Sequence, residues 1–351
     1  MNKLWITLLI VSLVLFSVYF LYASFFSASH IAGIINENKE HYSIILSEDD
    51  KVLISINPEV SRPLASVVKL IVAIEFAEQV SARQLDKTEQ VPIGALERYH
   101  IPDTDGNAHE EWLSYLKKNQ KLTNDSLVAL WEVARGMIAY SSNANTEYLM
   151  DRLGIDNVND RLQKLGIRTH SKINYLVSDL YLTAGELETN TDEELYDKCK
   201  LIHEKLKTGI ISADSFDHEK DLSLEKQQLL NNRMSSSTAL EYYGLMKKIS
   251  SNTYFTNEVQ AELNSIIERQ SQPEKYDIIR YGGKGGSTLW VLNNAVYLER
   301  KNGKKYEFIL FSNYPTEAND NFLISKVMGK LISEITDDTK RAKKLISIIN
   351  K

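Results

Sequence analysis

Hydrophobic and polar positions change rhythm three times along this chain of 351 residues. Residues 4–26 carry no charge at all, and Lys3 is the only charged residue before Glu37. Two β-rich runs follow, Tyr42-Ser43-Ile44-Ile45-Leu46 and Val52-Leu53-Ile54-Ser55-Ile56, flanking the acidic stretch 47–51, and they predict a hairpin. Helix-period patterns then dominate over 66–83, 110–118, 126–140, 145–153, 157–165, 192–207, 236–249 and 257–269, with the polar stretch 84–125 read as loops around one short helix. Alternation returns at 278–281, 291–300 and 306–313, with Asn302-Gly303 as a turn between the last two runs, and 319–335 closes as an amphipathic helix. Strands at both ends with helices between them predict an α+β fold of three-layer α/β/α type. Its antiparallel sheet is assembled from the two termini, and an all-helical lobe, about 66–270, is inserted.

The apolar run 4–26 matches the roughly 20 residues needed to cross a bilayer and exceeds the 7–15-residue core of a cleaved signal. Residues 1–28 are therefore expected to be a single-pass signal anchor or transmembrane helix. Lys3 stays inside, and the rest of the chain lies outside the cytoplasm at the cell membrane. Residues 29–41 read as a linker, 42–336 as the folded domain and 337–351 as a basic tail. The net charge of −6 with scattered basic residues argues against nucleic acid as a partner. The single cysteine, Cys199, excludes an internal disulfide.

The chemistry concentrates in Ser66-Val67-Val68-Lys69, within a run too apolar to leave in water. Ser66 and Lys69 stand one helical turn apart on one face, and a buried lysine loses its charge readily enough to take a hydroxyl proton. Ser66 is thus a candidate nucleophile. Ser-x-x-Lys also occurs at Ser114 and Ser223, but in charged segments where the lysine reads as a surface charge. Ser141-Ser142-Asn143 falls where one apolar helix stops and another begins, and Lys284-Gly285-Gly286 lies in the Gly-rich run 281–288, where glycine permits close backbone approach. The literal Lys207-Thr208-Gly209 reads as a helix C-cap, and Asp103-Thr104-Asp105-Gly106-Asn107 as an acidic turn capping the next helix. No metal site and no cofactor are expected.

Ser-x-x-Lys, Ser-x-Asn and Lys-x-Gly in this order resemble the class A β-lactamase and penicillin-binding-protein superfamily of active-site serine hydrolases over roughly residues 40–335. The resemblance implies Ser66 as nucleophile, Lys69 as its proton acceptor and Ser141 as relay to the leaving nitrogen. It further implies that Asn143 holds the substrate amide and Lys284 attracts its carboxylate. Gly286, Ser287 and Thr288 would line the strand that receives the ligand, and the N–H groups of Ser66 and Ser287 would form the oxyanion hole. The partner would be a β-lactam or a cell-wall peptide, met by a monomer.

Departures are visible too. No Glu-x-x-Leu-Asn loop is present, and Asp179 is the nearest stand-in for the deacylating base. Residues 188–232 look like a helical insertion, and Arg280 is the nearest strand arginine to the family's second carboxylate anchor. A slow deacylation is expected. A sensor that acylates without turnover and a non-catalytic envelope protein are the alternatives.

Overall fold

The computed structural model describes residues 27–269, 277–313, 318–337 and 339–351, and of 318–323 only the backbone. Its centre is a five-stranded antiparallel sheet of order β2-β1-β9-β8-β7. β1 (Tyr42–Glu48) and β2 (Lys51–Ile56) come from the start of the domain, and β7 (Ile278–Ser287), β8 (Leu292–Arg300) and β9 (Lys305–Ser312) from its end. The sheet is thus built from both termini, with the helices inserted between. The β1–β2 turn is Asp49-Asp50 with both residues at positive φ, 46° and 70°, the backbone that matches strand twist in a tight hairpin.

Alternation along the strands supplies two cores. Ile45, Ala295, Tyr297, Ile309 and Phe311 face the helical lobe, centred on helix Lys69–Ser81. Ile44, Leu46, Val296, Leu298, Phe308 and Leu310 face the opposite way. There they meet helices Ala28–Glu37, Ala318–Ile335 and Lys340–Ile349. A period-two strand buried on both faces requires these three layers.

Two boundaries differ from the sequence reading. Residues 29–41, expected as a linker, form helix Ala28–Glu37 and a short 3₁₀ turn at Lys39–His41. Ser27 caps the helix by accepting the His30 N–H, and Ala28, Ile31, Ala32 and Ile35 bury one helical stripe. Residues 337–351, expected as a basic tail, contain helix Lys340–Ile349, whose Ala342, Leu345 and Ile349 pack inward while its lysines stay exposed. The expected anchor lies almost wholly in 1–26, outside the described residues. Among the described residues no helix is long and apolar enough to cross a membrane.

Four three-residue strands, β3 (Ser61–Pro63), β4 (Gln90–Pro92), β5 (Leu127–Ala129) and β6 (Ser236–Thr238), pair as β3 with β6 and β4 with β5. β3 and β6 join the segment entering the Ser66 turn to the segment entering helix Ala239–Ser250. The 188–232 region is chiefly helices Asp192–Lys207 and Leu224–Arg233, and Thr208 with Gly209 at φ 74° ends the former helix as a cap.

Candidate active site

Ser66 stands on a 3₁₀ turn, Ala65–Val68, that opens directly into helix Lys69–Ser81. In an opening turn the backbone N–H groups lack intrahelical acceptors and point outward. Ala65 adopts φ 46° and its N–H donates to Met234 Sδ at 3.1 Å. Ser141 adopts φ 77°. Non-glycine residues in this region cost roughly 1–3 kcal/mol each, and here one immediately precedes Ser66 while the other is Ser141 itself.

Lys69 is fully buried and its Nζ meets three oxygens: Ser141 O at 2.6 Å, Asn143 Oδ1 at 2.8 Å and Ser141 Oγ at 3.2 Å. Burial, and next the nearby Lys284 ammonium, hold Lys69 well below the ordinary lysine range, against a weaker opposite pull from Asp105. A neutral amine has two N–H bonds and one lone pair. The carbonyl and amide oxygens can only accept, so they take both N–H groups, and the lone pair is left for a hydroxyl. The hydroxyl within reach of that third position is Ser141 Oγ at 3.2 Å, and the Ser66 hydroxyl, one helical turn before Lys69, has no hydrogen-bond partner among the described residues.

β7 closes the site from the other side. Gly286 lies so near the Ser66 turn that a Cβ on it would stand 2.7 Å from Ser66 N and 2.8 Å from Leu64 O. Lys284, two residues earlier on the same strand face, is buried, and burial pushes its ammonium down to about 7. Together Ser66, Ser141, Asn143, Lys284, Gly286 and Ser287 line one cleft of about 650 Å³. Thr288 turns away from it to donate to Asn231 Oδ1 at 3.1 Å and to accept the Trp290 and Val291 N–H groups, but it lines an adjoining pocket with Ser66.

That second pocket, about 160 Å³, also holds Asp179, on the 3₁₀ turn Ser178–Tyr181. Asp179 Oδ1 accepts from Cys199 Sγ at 2.7 Å and Asn174 Nδ2 at 3.2 Å, while Oδ2 has no partner among the described residues. Burial raises this carboxyl to about 7, opposed by the Cys199 thiol and reinforced by Glu147.

Several contributors escaped the sequence reading. Asp105 does cap the following helix, its Oδ1 accepting the Ala108 N–H at 3.0 Å, but Oδ2 also accepts the Asn143 N–H at 3.2 Å and ties that loop to the site. His109, fully buried, bonds Ser142 Oγ at 2.9 Å between the two functional positions. Arg269 reaches the cleft, 4.5 Å over the Tyr281 ring, whereas Arg280 is taken up by Glu268 at 2.7 Å and lines neither pocket. Lys226, read as a surface charge, is buried and satisfied by Leu180 O at 2.7 Å and Asp221 at 2.9 Å. Ser114 and Lys117 are exposed as expected.

The fold is of the β-lactamase-like serine-hydrolase type. The chain belongs to the Beta-lactamase enzyme family, whose profile matches residues 27–337. A β-lactamase from Sphaerobacter thermophilus is 15% identical at TM-score 0.56, with 89% of this chain and 98% of that one covered. A class A β-lactamase representative from Bacteroides cellulosilyticus is 17% identical at TM-score 0.53, covering 87% and 97%. A PBP-A variant, solved as an acyl-enzyme complex with penicillin G, is 15% identical at TM-score 0.51, covering 87% and 94%. These likenesses show the fold. Among curated protein sequences no match is found.

Proposed function

We propose that this protein is a serine hydrolase that forms an acyl-enzyme through Ser66 with a β-lactam or a D-Ala-D-Ala-type cell-wall peptide, and releases it slowly. The observation that carries the reading is the buried Lys69, which meets Ser141 O, Asn143 Oδ1 and the Ser141 hydroxyl and stands one helical turn from Ser66, whose own hydroxyl has no partner among the described residues. Neutral Lys69 takes the Ser66 proton as Oγ attacks the carbonyl carbon. The N–H groups of Ser66 and Ser287 hold the developing oxyanion, and Ser141 delivers a proton to the departing nitrogen. Lys284, with Arg269 beside the same cleft, receives the substrate carboxylate.

Ester release needs a water and a base within hydrogen-bond reach. Asp179 supplies its free Oδ2 in the small pocket it shares with Ser66, but it is half protonated near neutrality and has a shorter reach than a glutamate. The acyl-enzyme therefore persists. Intact-mass measurement with a penicillin over time tests the reading: one adduct that decays slowly, absent in Ser66→Ala, is expected. An adduct retained in that variant overturns it.

The proposal extends to location, with the apolar run 4–26 as an uncleaved anchor and the catalytic domain outside the cytoplasm. A cut within Ser27-Ala28-Ser29 would strip the cap from the buried helix Ala28–Glu37, which favours retention. Fractionation and protease accessibility of intact cells decide; a processed soluble product starting near residue 30 would refute the anchor.

A further inference from the structure

We infer that His203 is a positioning residue for the Asp179 turn, a buried cationic strut through which helix Asp192–Lys207 sets the base of the deacylation step. The inference rests on the proposed acyl-enzyme function and identifies what holds its second half-reaction in place.

The connection runs through Glu147, a fully buried carboxylate on helix Asn143–Leu153. Glu147 Oε2 accepts the Val177 N–H at 2.8 Å and Oε1 accepts the Ser178 hydroxyl at 2.5 Å, so it grips the two residues just before Asp179. His203 Nδ1 lies 3.1 Å from the same Oε1, and His203 is the only basic side chain paired with Glu147 among the described residues. On its other edge His203 Nε2 stands 3.3 Å from Asp151 Oδ1, which also takes Lys207 Nζ at 2.8 Å. The ring is sandwiched between Tyr175, stacked at 3.8 Å and 4°, and Tyr99 at 5.1 Å and 10°. Tyr175 belongs to the same loop, so the imidazole fixes the Asp179 turn by stacking and by charge.

A buried carboxylate left without its cation is strongly unfavourable, so a neutral ring would loosen the Glu147 grip. Burial alone would drive the imidazole down, but the carboxylates of Asp151 and Glu147 on its two edges outweigh this and lift it to about 9. The groups that face it are Glu147 and Asp151 on one helix, Glu204 and Lys207 on its own, and Tyr99 and Tyr175 from the loops. Arg98 borders this cluster, donating to the Lys207 carbonyl at 3.0 Å and lying near Tyr99. The Lys207 ammonium at 2.8 Å is a second cation against Asp151.

Cys199 offers an internal reporter. It is the chain's single cysteine, buried, on the same helix as His203 and bonded to Asp179. Its labelling by a disulfide reagent requires local opening of this region. In full-length His203→Gln, acylation by penicillin should keep the wild-type rate, deacylation should slow by at least about tenfold, and Cys199 labelling should rise by about tenfold. Wild-type labelling, normalised to a free thiol at each pH, should climb through pH 9 toward the variant's flat profile, because His203 then loses its proton. Unchanged deacylation and labelling in the variant, or equal slowing of acylation and deacylation, would overturn the assignment. The wild-type pH series needs no variant, so a misfolded His203→Gln does not block the test: a flat series overturns the strut. A wild type that never acylates would refute the proposed function, while the labelling series would still decide the role of His203.

Discussion

Gly286 and Ser66 are in contact through their backbones: a Cβ on Gly286 would lie 2.7 Å from the Ser66 nitrogen. No side chain fits there without moving either β7 or the turn that presents Ser66. The clash is with backbone, which cannot swing aside as a long side chain could. Gly286→Ala should therefore cut the acylation rate by at least about a hundredfold and destabilise the fold by about 1–3 kcal/mol. Single-turnover labelling and a urea midpoint check both. Acylation at the wild-type rate in this variant would refute the contact.

Lys69 is held by two oxygens that can only accept. Lys69→Arg preserves those donors but introduces a guanidinium that stays charged at any working pH. Loss of acylation by about 10²–10⁴ is expected, with Ser66 intact and the protein folded by circular dichroism. Stopped-flow acylation with a chromogenic cephalosporin reads this directly. Rapid acylation in Lys69→Arg would mean that Lys69 acts by charge rather than as a base.

What could be read from the sequence follows from how far each signal reaches. The strands 42–46, 291–300 and 306–313 alternate over enough residues to announce a sheet, and helix Asp192–Lys207 coincides with its predicted bounds. Strands of three residues, such as β3 and β6, are too short for a period to show. Helix Ala28–Glu37 did leave a signal in Ala28, Ile31, Ala32 and Ile35, obscured by the longer apolar run before it. Ser66, Lys69, Ser141, Asn143 and Lys284 were legible because spacing and order carry their chemistry, and the structure brings them to one site. The 103–107 motif announced Asp105 as a helix cap, but its second bond, to the Asn143 N–H, and the contacts of His109 with Ser142 and of Arg269 with the cleft are made across tertiary distance and leave no local pattern. His203 is one polar residue in a charged helix, and its partner Glu147 lies 56 residues earlier in the chain, beyond the reach of any local pattern.

His109 gives the site an acid sensitivity. Burial, and next the neighbouring His100, push its imidazole down to about 4, so at neutral pH it is uncharged against Ser142. In the unfolded chain a histidine titrates near 6.5. The unfolded state thus binds more protons between pH 6.5 and 4, and stability falls as pH drops through that window. The loss should reach up to about 3 kcal/mol, seen as a falling urea midpoint between pH 7 and 4. His109→Phe keeps an aromatic ring, loses the Ser142 bond at a cost of about 1 kcal/mol, and should flatten this part of the profile. An equally steep profile in the variant would place the acid sensitivity elsewhere.

On the proposed function, Asp179 should set the pH dependence of release. A general base works only when ionised, and burial has raised this carboxyl to about 7. Deacylation should therefore accelerate as pH rises through 7, roughly tenfold per unit below it and level above. Acylation depends on Lys69 and should not share this profile. Asp179→Asn keeps an oxygen that can accept from Cys199 and Asn174 but cannot take a proton from water, so the acyl-enzyme should form at the normal rate and persist about 10²–10⁴ times longer. Asp179→Glu extends the carboxylate by one methylene toward the Ser66 pocket and should quicken release if reach is what limits it. Intact-mass decay of the penicilloyl adduct from pH 5.5 to 8.5 measures all three. Decay that is independent of pH, or unchanged in Asp179→Asn, would remove Asp179 from the reaction and leave the adduct to a water activated by another group.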